Sequence, residues 1–371
     1  MYRLELFALT VLYLFSCSAS ASSTFDPRSF SKSTATCTAT NRPLGKKETT
    51  VDIRLDYVDI NPSAQTTLIL VHGWPSLWSS WSNQIQEFKE DYHLIVPDLR
   101  GFGESTHPDD FRRSGTMPDL VGDLACILKH ANISSAVCVG HDWGSSVCYE
   151  AGRSRPDLFP GVVGVIVPYN PAEGDYTPVQ NLIGVLPKLS YQIFLDKTIQ
   201  AIAELDPDMR RTIRATLRTV ASPPPDDFLA SQTSYLAAWD DVTEIPPVPF
   251  FTRDEEDYFV EQYSSQGFKY TLQFYSADAS PNRYASWAFA NAQGNYTIPQ
   301  PVLAIFPNED PVADWEVLSE ILKSADFLPN LRTEIMPGSH WCHMEYPETF
   351  NALLRNWLDQ FFGAYAGHDE L

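Results

Sequence analysis

The stretch "CVGHDWGSS", Cys138 to Ser146, decides the fold. An apolar run leads into it, two glycines bracket its centre, and a helix-compatible segment, "WGSSVCYEAGR" (143–153), leaves it. Gly140-His141-Asp142-Trp143-Gly144 therefore has the G-x-nucleophile-x-G outline of a sharp strand-to-helix turn, which lifts its central side chain above the end of a sheet. That outline usually carries serine, and here the central residue is aspartate. A carboxylate of ordinary pKa, roughly 3.9, is ionised near neutral pH. Its attack on a carbonyl would give an anhydride, a poor intermediate, whereas attack on a saturated carbon with an oxygen or halide leaving group gives a stable ester. That ester needs a second step, in which a histidine-activated water attacks the carboxyl carbon of residue 142 itself. The tetrahedral intermediate then calls for an oxyanion hole. The alternative for Asp142 is a helix N-cap, a role aspartate also fills.

Working outward, apolar runs alternate with helical stretches on both sides of the turn. "VDIRLDYVDI" (51–60) reads as an edge strand; "TTLILVHG" (66–73), "YHLIVPDL" (92–99), "SAVCVGH" (135–141) and "GVVGVIVPYN" (161–170) read as further strands. "PDLVGDLACILKHA" (118–131) is helical. This order predicts an α/β fold, a mostly parallel sheet with helices on both faces. From Pro171 to about residue 298 the rhythm changes to helical patterns, many aromatics and proline runs such as "SPPPDD" and "EIPPVPF". "QPVLAIFP" (300–307) and "NLRTEIMP" (330–337) restore the strand pattern, and "ETFNALLRNWLDQFF" (348–362) closes as an amphipathic helix. The expectation is a core in two parts, 46–170 and 299–367, interrupted by a mainly helical cap, 171–298. An insertion at that strand's carboxyl end sits over the crevice where α/β sheets bind ligands.

Four motifs fall at the ends of these strands: His72-Gly73-Trp74-Pro75, Asp98-Leu99-Arg100-Gly101-Phe102-Gly103, the Gly140–Gly144 turn, and "GSHWCHMEYP" (338–347). In this order the sequence resembles the epoxide hydrolases of the α/β-hydrolase superfamily, from about residue 50 to 362 and weakly through the insertion. The resemblance implies Asp142 as nucleophile, His340 as general base and Asp310 as the acid that orients it, with the backbone N–H groups of Trp74 and Trp143 as the oxyanion hole. It also implies a cis bond before Pro75. His343 is the alternative base, and Glu309 and Asp314 are alternative acids; His141 reads as a structural neighbour of the turn. An opening epoxide develops an alkoxide that a tyrosine can protonate. The resemblance assigns this to Tyr191 and Tyr275, with Tyr284, Tyr270 and Tyr263 near enough in sequence to compete for the second place. No cofactor and no metal is required. The implied reaction converts a hydrophobic epoxide to a vicinal diol. A haloalkane dehalogenase would share Asp142, Trp143 and the acid–histidine pair, with Trp74 as a halide donor. A non-catalytic ligand-binding protein on the same fold is the third possibility.

Residues 1–21, with one early Arg3, an apolar run and an Ala19-Ser20-Ala21 ending, read as a secretory signal peptide, the run being short and wrongly flanked for a membrane span. His368-Asp369-Glu370-Leu371 reads as an ER-retention address recognised by a receptor. Together they predict the lumen of the endoplasmic reticulum, where the sequons at Asn132 and Asn295 are candidate glycosylation sites. Residues 22–45, rich in Ser and Thr, read as a poorly ordered lead-in. Of six cysteines Cys17 would leave with the signal, and the rest fit neither a disulfide scaffold nor a metal site. Cys138 and Cys148 read as small buried hydrophobes, with one disulfide somewhere in the chain still open. A net charge of −21 argues against nucleic acid or an anionic membrane surface as partner.

Overall fold

The fold is that of a computed structural model, which describes residues 25–275 and 282–363. The signal and retention segments, 1–21 and 368–371, lie outside the described residues. The described residues run through β1 (Lys32–Asn41), β2 (Thr49–Ile60), β3 (Thr67–Val71), α1 (Ser82–Phe88), β4 (His93–Pro97), α2 (Met117–His130), β5 (Val137–His141), α3 (Trp143–Ser154) and β6 (Val162–Val165). Five helices follow: α4 (Tyr191–Asp196), α5 (Thr198–Leu205), α6 (Met209–Thr216), α7 (Arg253–Gln266) and α8 (Asn282–Gln293). The chain then runs through β7 (Val302–Pro307), α9 (Trp315–Ile321), β8 (Leu331–Met336), α10 (Cys342–Glu345) and α11 (Pro347–Phe362).

The eight strands form one sheet in the order β1-β2-β4-β3-β5-β6-β7-β8. Only the β1–β2 and β2–β4 pairs are antiparallel; β4 through β8 pair in parallel. β3, β4, β5, β6 and β7 are buried along their whole length, because helices cover a parallel sheet on both sides and no strand face is left for water. The helices gather in two groups: α3 packs against β5 and β6, with α2 beside it and against β1 and β2, and α1 and α10 join α11 near β8. Thr116 begins α2 with a reciprocal capping box to Asp119, which satisfies two of the orphan donors of the first turn. Between β6 and β7 the described residues hold helices, 3-10 turns and one isolated bridge, Thr219 to Ser222.

Two readings of the N-terminal region are corrected. The Ser/Thr-rich segment contains β1, a ten-residue strand that forms the sheet edge, so the core begins before residue 46. Threonine is β-branched and favours strands, and Ala35, Cys37 and Ala39 alternate inward with burial of 5% exposure or less. Residues 51–60 are consequently an inner strand, paired on both sides.

The cysteines also differ from expectation. Cys37 bonds Cys126, tying β1 to α2, and Cys138 bonds Cys148 across the turn that carries Asp142. Cys342 is free and buried. The chain reversal at residues 140–144 lays β5 beside α3, bringing the Cα atoms of Cys138 and Cys148 to 5.4 Å, within disulfide reach. Sequence spacing alone conceals that approach.

Candidate active site

The turn from β5 to α3 positions Asp142 in a conformation that few residues adopt, φ 56° and ψ −120°. A non-glycine residue held there costs on the order of 1–3 kcal/mol, and the surroundings enforce it. The Asp142 N–H donates to the Val165 carbonyl at 3.1 Å. A Cβ on Gly140 would lie 2.1 Å from the Gly144 carbonyl oxygen, and one on Gly144 would lie 2.1 Å from that of Val71. Only glycine fits at either place. The Asp142 side chain makes no capping bond to α3, which removes the N-cap alternative.

Instead the carboxylate is held from two other directions. Its Oδ1 accepts the Trp74 backbone N–H at 2.9 Å, and its Oδ2 lies 3.5 Å from His340 Nε2. The Trp74–Pro75 peptide is cis. His340 Nδ1 is 2.8 Å from Asp310 Oδ2. Asp310 in turn accepts the Val312 N–H at 2.8 Å and the Trp315 indole N–H at 2.6 Å, so three donors fix its orientation. Burial raises the pKa of Asp142, but the hydrogen bond and charge of His340 outweigh it and leave the group below the ordinary value. Burial lowers that of His340, but Asp310 and Asp142 outweigh it and raise the imidazole to about 10.

The competing residues fall elsewhere. His343 is fully buried, its ring tilted against that of His141 with the centroids 4.3 Å apart, and finds no partner for either ring nitrogen among the described residues. His141 supports the loop, its Nε2 donating to the His340 carbonyl at 2.8 Å. Asp314 caps α9 through the Val317 N–H. Glu309 lines the cavity but it is Asp310 that meets the histidine.

A cavity of about 530 Å³ opens over Asp142 and His340. Tyr191 from α4 and Tyr275 both line it, with rings 5.7 Å apart in an edge arrangement. Tyr275 sits edge-on to two tryptophans, 5.2 Å from the Trp74 ring and 5.6 Å from that of Trp143. Burial raises both phenols, assisted by the nearby Asp142 charge, so both keep their protons. Of the alternatives, Tyr284 is exposed, Tyr270 stacks on His107, and the Tyr263 hydroxyl donates to the Ser76 carbonyl. Trp143 opens α3, where first-turn N–H groups have no helical acceptor. Among the described residues no group of three or more His, Cys, Asp or Glu side chains is placed to hold a metal ion.

Residues 66–347 match the alpha/beta hydrolase fold family. The chain belongs to that family. Over 318 residues, 82% of its length, this alpha/beta hydrolase is 26% identical to the bifunctional epoxide hydrolase 2 of Mus musculus, and the match covers 53% of that protein. The chain thus spans about half the length of the mouse, rat and pig relatives it matches. It is also 26% identical over 325 residues to epoxide hydrolase A of Mycobacterium tuberculosis, covering 85% of this chain and 97% of that one. The crystal structure of epoxide hydrolase A from Mycobacterium thermoresistibile superposes with a TM-score of 0.70 at 23% identity, covering 87% of this chain and 98% of the other.

Two parts of the hydrolase's cavity escaped the sequence reading. Tyr235 lines it beside Tyr191, its ring 5.6 Å from Trp74 and its hydroxyl 3.1 Å from Thr216 Oγ1. Pro223, Pro224 and Pro225 form part of its wall. The "SPPPDD" run is visible in sequence, but only as a change of rhythm, and nothing around Tyr235 marks it.

Proposed function

We propose that the chain is an epoxide hydrolase that adds water to a hydrophobic epoxide to give a vicinal diol. The observation that carries this reading is one cavity in which Asp142, held by Trp74 N–H and His340, faces Tyr191 and Tyr275. The relatives named epoxide hydrolases support it.

The proposed steps use that geometry. A carboxylate oxygen of Asp142 attacks a ring carbon, the carbon–oxygen bond of the epoxide breaks, and a tyrosine proton passes to the leaving alkoxide. The product is a neutral hydroxyalkyl ester on Asp142. Esterification removes one of the two carboxylates that hold His340 protonated, so the imidazole sheds its proton more readily, balancing the one the tyrosine gave. Neutral His340 then takes a proton from water, and the hydroxide attacks Cγ of Asp142. Trp74 N–H, already 2.9 Å from Oδ1, and Trp143 N–H receive the oxyanion. Collapse releases the diol and restores the carboxylate.

The dehalogenase reading is weaker, because one of its halide donors is spent: the Trp74 indole donates to Thr271 Oγ1 at 3.0 Å. A non-catalytic carrier would leave the complete Asp142–His340–Asp310 arrangement without a use. Styrene oxide is a direct test. The native protein should yield the phenyl diol, and His340→Gln should carry a substrate-sized mass on the Asp142 peptide. Neither diol nor label would end this reading.

The proposal extends to an oxidising, lumenal location, with glycans on Asn132 and Asn295 and retention through residues 368–371. Its support is the pair of disulfides, which persist in oxidising compartments, and the exposure of both asparagines. Glycosidase treatment of the protein from its native host should lower its mass; an unchanged mass would count against the glycans.

A further inference from the structure

The loop that carries His340 is fastened by a carboxylate the mechanism above does not use. Glu345 ends α10, just after the histidine. Its Oε2 accepts the Ser339 N–H at 2.9 Å and lies 3.1 Å from the Ser339 hydroxyl, while its Oε1 accepts the Val220 N–H at 2.9 Å. The Ser339 hydroxyl is also 3.1 Å from the Arg218 carbonyl. Ser339 and His340 line the cavity from the core, and Arg218 and Val220 line it from the insertion between β6 and β7. Gly338, at φ 123°, turns the loop into this clasp in a conformation that favours glycine. One side chain therefore bonds both to the residue preceding the histidine and to the opposite wall of the cavity.

We propose that Glu345 is a positioning residue that sets the placement of His340 over the Asp142 ester and, with the same carboxylate, the distance of the 218–220 wall from it. The inference rests on the epoxide hydrolase reading. His340 Nε2 stands 3.5 Å from Asp142 Oδ2, beyond a tight hydrogen bond, so the reach of the base depends on where the loop is held. A misplacement of about 1 Å can cost on the order of 100-fold in rate. Ring opening uses Asp142 and the tyrosines and does not need His340 as a base, so loosening the loop acts mainly on ester hydrolysis. Loosening the wall acts on substrates large enough to touch it.

The variants follow from hydrogen-bond inventory. Glu345→Gln keeps one acceptor oxygen and turns an amide toward one of the two backbone donors, so it must release Ser339 or Val220. Glu345→Asp keeps both acceptors on a shorter stem. Rapid-quench kinetics with styrene oxide separate ester formation from ester hydrolysis, with mass spectrometry of the Asp142 peptide giving the ester fraction. In Glu345→Gln, hydrolysis should fall at least tenfold, ester formation less than threefold, and the ester fraction should rise. kcat/KM, which reports the steps up to ester formation, should fall slightly for styrene oxide and stay level for propylene oxide, and Glu345→Asp should recover part of the hydrolysis rate. Ser339→Ala, which loses the hydroxyl and keeps the N–H, should show the same pattern more weakly. Equal loss in both steps, or an unchanged ester fraction in soluble Glu345→Gln and Ser339→Ala proteins, would overturn the assignment. The native protein measured alongside reports on the parent reading: ester and diol from it, with no selective change in the variants, would defeat the role of Glu345 alone.

Discussion

Asp142 and His340 face each other as a charged pair in a mostly buried site, and their titration follows from that. Although burial lowers it, Asp310 and Asp142 push the imidazole up to about 10 in the fold against an ordinary 6.5. A raised pKa stabilises the folded state in full below the unfolded value, and that stabilisation drains away as pH climbs through the folded one. The stability advantage of the native protein over His340→Gln should therefore be largest below about pH 6.5 and shrink steadily toward pH 10 in thermal melts; an advantage that grew with pH would contradict the pairing. Asp142 acts oppositely, its lowered pKa contributing stability that disappears as pH falls through it. For activity, Tyr191→Phe combined with Tyr275→Phe should slow ring opening by on the order of 100- to 10,000-fold while leaving hydrolysis of preformed ester unchanged. Stopped-flow fluorescence of the tryptophans around the site would follow ring opening. Asp142, His340 and Asp310 were legible because each lies beside a glycine, proline or tryptophan signature at a strand end. Tyr275 was harder to separate from its neighbours, since a run of aromatics looks alike until packing tells a cavity wall from a surface.

The strand–turn–helix unit around Asp142 behaves as one element. Its geometry leaves no room at Gly144, where a methyl would meet the backbone oxygens of Val71 and His72. Gly144→Ala should cost about 3 kcal/mol or fail to give soluble protein. Gly122→Ala, on an open face of α2, should stabilise by about 0.5–1 kcal/mol; chemical denaturation of both checks the contrast. The Cys37–Cys126 bond closes a loop of 89 residues in sequence separation, and its removal by paired alanines should cost about 4–5 kcal/mol on the chain-entropy account. The alternating glycines and the buried apolar runs announced the elbow and the inner strands. The edge strand β1 was hidden because a run of Thr, Ser and Ala has the composition of a solvated linker. Its strand character lies in β-branching and in a partner, β2, that satisfies its backbone.

At the scale of the molecule, the cavity is assembled from pieces far apart in the chain: Trp74 after β3, Asp142 after β5, Tyr191 and Tyr235 from the insertion, and Val312 and His340 after β7 and β8. Val312→Trp places bulk in the cavity without touching the backbone N–H that holds Asp310. It should lower kcat/KM for styrene oxide by roughly 10- to 100-fold and change that for propylene oxide little, and equal losses for both would place Val312 outside the substrate's path. The order of strands and helices, and the turn and loop that carry Asp142 and His340, were written in short stretches of adjacent residues, because turn geometry and burial period are local properties. The Cys37–Cys126 disulfide, the proline-lined wall and the Glu345 clasp were set only when the strand order of the assembled sheet brought distant parts of the chain together. They join residues whose meeting depends on that strand order, and no local pattern records which distant ends will meet.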